Sequence, residues 1–445
     1  LPSDFLSAAE ITIGGTPVSA SVSGTTLTFT SLQGVASREN AEIILETDKL
    51  IVEGTVNVAK AIIHNADEFS AKFLNANNPG EGELVLLAAN IDGEDITVTG
   101  RNTKGNFAGI FDGRGYTIAN LEVADQYGLL GSGAPTGVLK NVAFVNALFQ
   151  CANKCGGYLA NNGDGMMLEN VYWQGVSTVD DRAAESPARG TDHGLLFNYS
   201  SSAPLNLKNV VVIAEYTGDY GSAKVGILHN YSAEKFENVY NVSNITQMRC
   251  LTTRNDGDSY ATVAELKAGV ASALSAFTAE DGWDTSWGFP IMKSAMEYDT
   301  SVLTATKEQF SGKEYDQAEE TAVTLPSSVA YSVELSGDGA EYIDAEAFAE
   351  GKLVIVGLTP GTSATVTVTV TSLLSEKSES ATFTVKCEKE VLDFTFVGDL
   401  DRSAESQELD FGSDTAFEDA DLTNATVTIG GKAVSVTVSG TELTF

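Results

Sequence analysis

Leu139-Lys140-Asn141-Val142, Leu168-Glu169-Asn170-Val171, Leu207-Lys208-Asn209-Val210 and Phe236-Glu237-Asn238-Val239 repeat one phrase, and Ile118-Ala119-Asn120-Leu121 gives it a fifth time. Each has an apolar residue, a spacer, Asn, then Leu or Val. Between 11 and 15 residues before each Asn stands a Gly that opens a short apolar stretch: Gly109-Ile110-Phe111, Gly128-Leu129-Leu130, Gly157-Tyr158-Leu159, Gly194-Leu195-Leu196 and Gly226-Ile227-Leu228. The Asn-to-Asn steps are 21, 29, 39 and 29 residues. A fixed phrase at uneven steps suggests a solenoid whose coils differ in the loops they carry. Asn tolerates the left-handed backbone of a tight corner. Asn above Asn at one corner can also hydrogen-bond along the stack. The expectation is an all-β chain built on a right-handed parallel β-helix. Asn120, Asn141, Asn170, Asn209 and Asn238 would form its corner ladder, with their apolar neighbours pointing inward.

The stretch Phe107-Ala108-Gly109-Ile110-Phe111-Asp112-Gly113-Arg114-Gly115-Tyr116-Thr117-Ile118-Ala119-Asn120-Leu121 resembles the first coil of bacterial surface proteins that carry GLUG-type repeats. Trp283-Asp284-Thr285-Ser286-Trp287-Gly288-Phe289-Pro290-Ile291 is similar to the way such repeat regions close, with Ala261–Glu280 as a short helix before the closure. The resemblance spans roughly residues 67–295 and departs in its longer, uneven coils. It implies a secreted or cell-surface β-helix of the kind found in adhesins and matrix proteins, and brings no catalytic residues with it.

Outward from the coils, the two ends match each other. Residues 9–29, AEITIGGTPVSASVSGTTLTF, align without a gap to residues 425–445, ATVTIGGKAVSVTVSGTELTF, with 14 of 21 positions identical. Both read as strand, Gly-Gly turn, strand, Ser-Gly-Thr turn, strand. Upstream of the second copy lie residues 390–416, and downstream of the first lie 30–66. Joined, they make a unit near the ~100 residues of an immunoglobulin-like sandwich. Residues 300–388 alternate apolar with Thr or Ser over Thr321–Leu325, Ala330–Leu335, Lys352–Leu358, Ala364–Thr371 and Ser380–Lys386, as half-buried antiparallel strands do. Gly351–Val370 resembles the recurring phrase of invasin/intimin-type bacterial Ig-like modules. The expected domains are therefore 1–66, an incomplete sandwich; 67–299, the β-helix with its closing helix; 300–388, an Ig-like module; and 389–445, the first half of a second sandwich. Either the chain is one period of a tandem array, or subunits exchange end-domain strands. Starting at Leu1, it reads as a processed or excised piece of something longer.

Length and charge set the function classes. The 445 residues are 43% hydrophobic, enough for a sizeable core, and carry 61 Asp and Glu against 26 Lys and Arg for a net charge of −35. Nucleic acid and anionic lipid both require clustered basic residues, so neither is an expected partner. No apolar run approaches the ~20 residues of a membrane-spanning helix. An acidic surface suits an extracellular or cell-surface array whose repeated modules repel one another.

Candidate chemistry is thin. A parallel β-helix can be a polysaccharide hydrolase or lyase, and Asp164, Asp180, Asp181, Arg182, Arg189, Asp192 and His193 offer the residue types. Against that, Gly194 already has a structural explanation. The twelve residues from Asp180 to Asp192 are also too few for one coil, so nothing sets a carboxylate pair at the ~6.5–9.5 Å that inversion needs. The plainer reading is a charged loop insertion over Ser177–Thr191. Cys151 and Cys155 could close a small disulfide loop, and their spacing has no second pair to make a zinc site. Asn255-Asp256-Gly257-Asp258 could offer oxygens to Ca²⁺ but lacks the full ligand spacing, so no cofactor is expected. His64 and His229 sit in apolar stretches and read as packed side chains. Trp283, Trp287 and Phe289 read as a cap on the end of the solenoid core, and Asp112-Gly113 as the turn of a hairpin-like bend. An ice- or mineral-binding face would need a regular Thr or Asp ladder, which uneven coils do not supply. The expected function is structural or adhesive, through self-association of the end-domain strands and contact with a host or matrix glycan or protein. A carbohydrate-binding or polysaccharide-degrading β-helix is the alternative.

Overall fold

The computed structural model describes residues 3–124, 127–131, 135–151, 157–179, 193–200, 203–217, 225–231, 234–244, 258–298, 304–305, 309–312, 321–325, 329–374, 376–387, 408–410, 426–439 and 442–444. The chain is mostly β. Among the described residues no helix is long and apolar enough to cross a membrane.

The N-terminal unit begins with helix α1 (Ser3–Ala8), followed by β1 (Glu10–Ile13), β2 (Thr16–Val18), β3 (Ala20–Ser23), β4 (Thr26–Phe29), β5 (Arg38–Glu46) and β6 (Ile51–Val58). Gly14 and Gly15 link β1 to β2 with φ of +55° and +77°. Two left-handed residues in a two-residue loop form the hairpin turn whose twist matches its strands. One antiparallel sheet runs in the order β2-β1-β5-β6, while β3 and β4 form a hairpin beside it. Ile11 and Ile13 alternate with polar neighbours, so one face of β1 is buried with Ala41, Leu45 and Val58.

Two residues after β6 comes β7 (Ala61–Ile63), the first strand of a larger sheet. Helix α2 (Ala66–Phe69) and a π-turn over Ser70–Leu74 then drive Phe69 and Phe73 into the core beside it. The Asn65 side chain caps α2 by accepting from the Glu68 N–H. From here β8 (Leu84–Leu87), β11 (Ile110–Ala119), β13 (Val138–Cys151), β15 (Met167–Val179), β17 (Leu205–Thr217), β19 (Glu234–Ser243) and β20 (Asp258–Tyr260) pair in chain order, every pair parallel. The short strands β9 (Ile91–Asp92), β10 (Thr97–Val98) and β12 (Glu122–Val123) flank β11 and β13. Between long strands the chain crosses to a second parallel sheet of β14 (Ala160–Asn162), β16 (His193–Ser200) and β18 (Val225–Tyr231). Leu129 and Leu130 extend that second stack by donating their N–H groups to Tyr158 and Leu159.

The large sheet is apolar on both faces. Leu139, Val142, Phe144, Leu168, Val171, Trp173, Leu207 and Val210 face the second sheet in one core. Ala143, Val145, Tyr172, Val211, Ile213 and Val242 face the other way into a separate core. A sheet buried on both faces reads as near-continuous apolar strand rather than strict alternation.

What covers the second face corrects the expectation for residues 261–295. Helix α3 (Val263–Gly269), a 3₁₀ turn at Leu274–Ala276, and the antiparallel pair β21 (Trp283–Asp284) and β22 (Ile291–Met292) lie across the outside of the large sheet. Trp283, Phe289, Ile291 and Met292 are buried there. They seal the sheet's flank and do not close the end of the coils. The helix is also shorter than Ala261–Glu280. It starts with a reciprocal box in which Thr262 accepts from the Glu265 N–H while Glu265 accepts from the Ala261 N–H.

The following unit comprises β23 (Thr304–Ala305), β24 (Gln309–Gly312), β25 (Thr321–Thr324), β26 (Tyr331–Ser336), α4 (Ala345–Ala349), β27 (Lys352–Leu353), β28 (Ser363–Ser372) and β29 (Ser378–Cys387). Sheets β23-β25-β27 and β24-β29-β28-β26 enclose Val323, Leu353, Val366, Val368, Phe383 and Val385. Of the strand expected over Lys352–Leu358 only the two-residue β27 forms, directly after helix α4, with Ile355 making an isolated bridge to Ile343. Asp344 caps α4 by accepting from the N–H groups of Glu346 and Ala347. Tyr331, Val370 and Leu374 join the core beneath Trp283, fixing this unit to the flank of the parallel stack. At the C-terminal side, β30 (Glu408–Asp410), β33 (Thr437–Ser439) and β34 (Glu442–Thr444) form one sheet, and β31 (Val427–Ile429) pairs with β32 (Lys432–Val434).

Candidate functional site

The asparagine corners carry the most ordered polar chemistry among the described residues. Asn141, Asn170, Asn209 and Asn238 have φ of +53°, +55°, +54° and +54°. Asn238 donates its amide to Asn209, Asn209 to Asn170, Asn170 to Asn141 and Asn141 to Asp112, at 2.9, 2.9, 3.0 and 3.0 Å. Asn120 is not on this ladder. It donates to Asp92 at 2.9 Å and accepts from Asn146 at 3.2 Å, forming a second, shorter ladder at another corner. Asn146 has φ +51° and Asn120 +57°. Both ladders end on an aspartate, a side chain that only accepts when ionised and so suits the end that receives donors.

The register explains why Asn120 stands apart. β11 pairs Ile118 with Phe144 and Asp112 with Lys140, so the corner opposite Asn141 is Gly113-Arg114-Gly115, where Arg114 and Gly115 have φ of +52° and +81°. The 21-residue step is therefore not a coil. Gly109 likewise stacks on Gly137 rather than Gly128, since Val138 donates its N–H to the Gly109 carbonyl. Asp112-Gly113 lies within a parallel strand and at the foot of a ladder, so the hairpin-bend reading is corrected too. The glycines are needed for close approach: a Cβ at Gly157 would sit 2.2 Å from the Leu196 carbonyl oxygen and one at Gly137 2.3 Å from that of Gly109.

Beside the ladder runs a second row that the sequence reading missed. The residues before the four ladder asparagines are in register with one another and with Asp112, giving Asp112, Lys140, Glu169, Lys208 and Glu237 in line across the sheet. Signs alternate at every step. Lys208 contacts Glu169 at 2.7 Å, and this carboxylate, with Glu237 beyond, holds the Lys208 ammonium above its ordinary range. Lys140 also reaches Glu39 of β5 at 2.8 Å, tying the N-terminal unit to the stack. The alternation Lys, Glu, Lys, Glu in front of Asn was legible in the repeated phrase.

Arg101 was also missed. It is 1% exposed. It donates to the carbonyls of Leu129, Phe73 and Leu74 and to the side chain of Asn78, and its guanidinium lies 5.2 Å from the Phe73 ring centre. Asn78 in turn donates to Gly105 and Leu130. A planar fork of five donors suits such a knot of main-chain oxygens. A polar depression of about 280 Å³ opens beside it, lined by Ser70, Asn75, Asp95, Thr97 and Lys104 among others.

The other candidates scatter. Asp164 is buried; its backbone N–H donates to the Asn162 side-chain oxygen, and its carboxylate accepts from the Asn162 side-chain amide. Asp180, Asp181, Arg182, Arg189 and Asp192 lie outside the described residues, as does Cys155, whereas Cys151 ends β13 and His193 opens β16. Of the Asn255–Asp258 stretch only Asp258 is described, as the first residue of β20. Among the described residues no cluster of three metal-ligating side chains occurs. His64 corrects the packed-histidine reading: its side chain is 58% exposed, its backbone N–H donates to the Glu68 carboxylate, and its ring Nδ1 pairs with the same oxygen, both at 2.8 Å. Lys72 and His64 together hold Glu68 down at about 2. His229 lies in β18. A regular hydroxyl ladder does exist, on β28 and β29 rather than on the coils: Thr367 with Thr382, Thr369 with Ser380 and Thr371 with Ser378 meet at 2.9–3.1 Å on the exposed face. The chain matches no family model, no curated protein and no solved structure.

Proposed function

We propose that the chain is a structural and adhesive unit of an extracellular or cell-surface array: a right-handed parallel β-helix held between Ig-like sandwiches. The observation that carries this reading is the repeat of residues 9–29 at 425–445, on either side of a parallel stack with both faces of its large sheet buried. Alternation of the chain between two parallel sheets in chain order is the topology of a coiled solenoid, and parallel crossovers are right-handed with few exceptions. Direct joints support a stiff unit. Ser37 of the N-terminal unit accepts from the Leu84 N–H of the stack, and Lys60 pairs with Glu83 at 2.6 Å. Resemblance to GLUG-type repeats and to invasin/intimin-type modules points to the same surface role. The polar chemistry found, amide ladders, an alternating charge row and a carbonyl-bound arginine, is chemistry that fixes register.

The parent gene tests the reading most directly. We expect the 416-residue period to recur there and the product to be reached by an impermeant label on intact cells. A single copy with strictly internal labelling would overturn it. On a glycan and matrix-protein array the contact should map to an exposed face of the modules rather than to the coil interior.

A further inference from the structure

The geometry points to the polar depression beside Arg101 as a binding site for one unit of a neutral, hydroxyl-rich glycan. The assignment rests on the adhesive reading above and gives it a place on the chain and a class of ligand.

Two walls make the depression, and both are tied to each other. One is the π-turn Ser70–Leu74, where the Asn75 N–H donates to the Ser70 carbonyl at 2.8 Å. Such single π-turns are rare and occur frequently at functional sites. This one brings Ser70 and Asn75 together on the rim. The other wall runs from Asp95 through β10 to Lys104 and turns at Gly100, whose φ is +66°. Arg101 joins the two. Its backbone belongs to the second wall, while its buried guanidinium takes the carbonyls of Phe73 and Leu74 in the first. Lys104 makes a further tie by donating to the Asn75 carbonyl at 2.7 Å. The shape is set before any ligand arrives, which lowers the ordering cost of binding.

The polar groups on these walls are open. Among the described residues, the side chains of Ser70, Asn75, Asp95 and Thr99 hydrogen-bond to no other group. Thr97 donates to Glu122 at 2.7 Å and keeps its oxygen free to accept. Sugar hydroxyls both donate and accept, and an amide, hydroxyls, a carboxylate and an ammonium around one depression meet both needs. Ile96, half-buried against the stack, offers an apolar edge to the C–H face of a ring.

Charge selects among ligands. Asp95 and Lys104 carry opposite signs, and the Arg101 guanidinium is engaged by carbonyls. An anion would meet Asp95 and a chain of net charge −35. A calcium ion would find one carboxylate where it takes several oxygens, and an apolar ligand would strand the polar rim. The depression of about 280 Å³ falls at the small end of the ~300–1,000 Å³ of ligand pockets. It therefore takes one sugar unit, with the rest of the glycan outside.

The test uses the full chain and saturation-transfer NMR, which reads weak binding. The probes are the methyl pyranosides of glucose, galactose, mannose and N-acetylglucosamine, with methyl glucuronoside as the anionic counterpart. At least one neutral pyranoside should take up saturation. Asp95→Ala should raise its Kd about tenfold and Asn75→Ala roughly threefold. Thr99→Trp, which fills the depression from an exposed position, should abolish uptake with the melting temperature unchanged. Thr369→Trp, on the hydroxyl ladder of β28, should leave binding as it was. Uptake that survives both Thr99→Trp and Asp95→Ala, or that vanishes with Thr369→Trp, would overturn the assignment. So would silence from every pyranoside, or a response confined to the glucuronoside. If the sugars fail while the 416-residue period recurs in the parent gene, the array reading stands and the site falls alone.

Discussion

Asn170 shows what one residue does here. It holds a left-handed backbone, donates to Asn141, and accepts from both Asn209 and the Trp283 indole at 2.9 and 3.3 Å. Replacing Asn by Ala there keeps the strained φ, worth about 1–2 kcal/mol, and strands a buried amide, worth about 1–3 kcal/mol. We expect Asn170→Ala to lower stability by about 2–4 kcal/mol in urea denaturation, and Asn170→Gly to recover only the backbone part. Asn120→Ala, at the more exposed corner, should cost about 1–2 kcal/mol. Equal effects at the two sites would show that the long ladder adds nothing. The two corners also explain what could be read beforehand. Both demand a left-handed residue with apolar flanks, so a local phrase reports a corner without saying which one. Four of the five asparagines share a ladder and the fifth does not.

At the scale of elements, the charge row makes a distinctive claim. Lys208 lies between Glu169 and Glu237, so Lys208→Glu places like charges on both sides. Partial exposure limits the loss to about 1 kcal/mol. The swap Glu169→Lys with Lys208→Glu should fail to restore the melting temperature, because each reversed residue still meets a like neighbour in Lys140 or Glu237. Rescue by the swap would mean an isolated pair rather than a row. Helix α2 gives a pH dependence. The Glu68 carboxyl sits at about 2 when folded against 4.5 ordinarily, lowered first by Lys72 and then by His64. Its stabilising contribution is present above pH 4.5 and is lost as pH falls toward 2. Glu68→Gln should flatten that acid limb slightly and leave neutral stability nearly unchanged, as befits an exposed group. The flank was harder to foresee. Ala143, Val145, Val211 and Ile213 signal a sheet covered on both faces, but nothing local assigns residues 263–296 as the cover. Trp283→Ala should cost about 3–5 kcal/mol and raise binding of a hydrophobic dye.

For the whole molecule, the net charge of −35 opposes close approach of copies. Screening shortens the reach of that repulsion from roughly 10 Å at 0.1 M salt to 3 Å at 1 M. Self-association measured by sedimentation should therefore strengthen with salt, and a decrease would point to ion pairs as the contact. The order of an antiparallel end unit, a stack of parallel strands and a second strand-rich unit was legible from repeats and alternation. The attachment of the module was not, because Tyr331, Val370 and Leu374 look like ordinary core residues until the surface they meet is known.

The sealed flank also has a consequence in time. Thr117 of β11 is hydrogen-bonded to Ser294, which in turn donates to the Gly115 carbonyl, across 177 and 179 residues of chain. A polypeptide emerging N-terminus first could wind each coil on the one before it, yet every coil would show a greasy outer wall until the last stretch arrived. Such distant closure slows folding and leaves the nascent chain exposed to aggregation. On the extracellular reading proposed above, export before the seal forms would turn that delay into a safeguard against folding too soon.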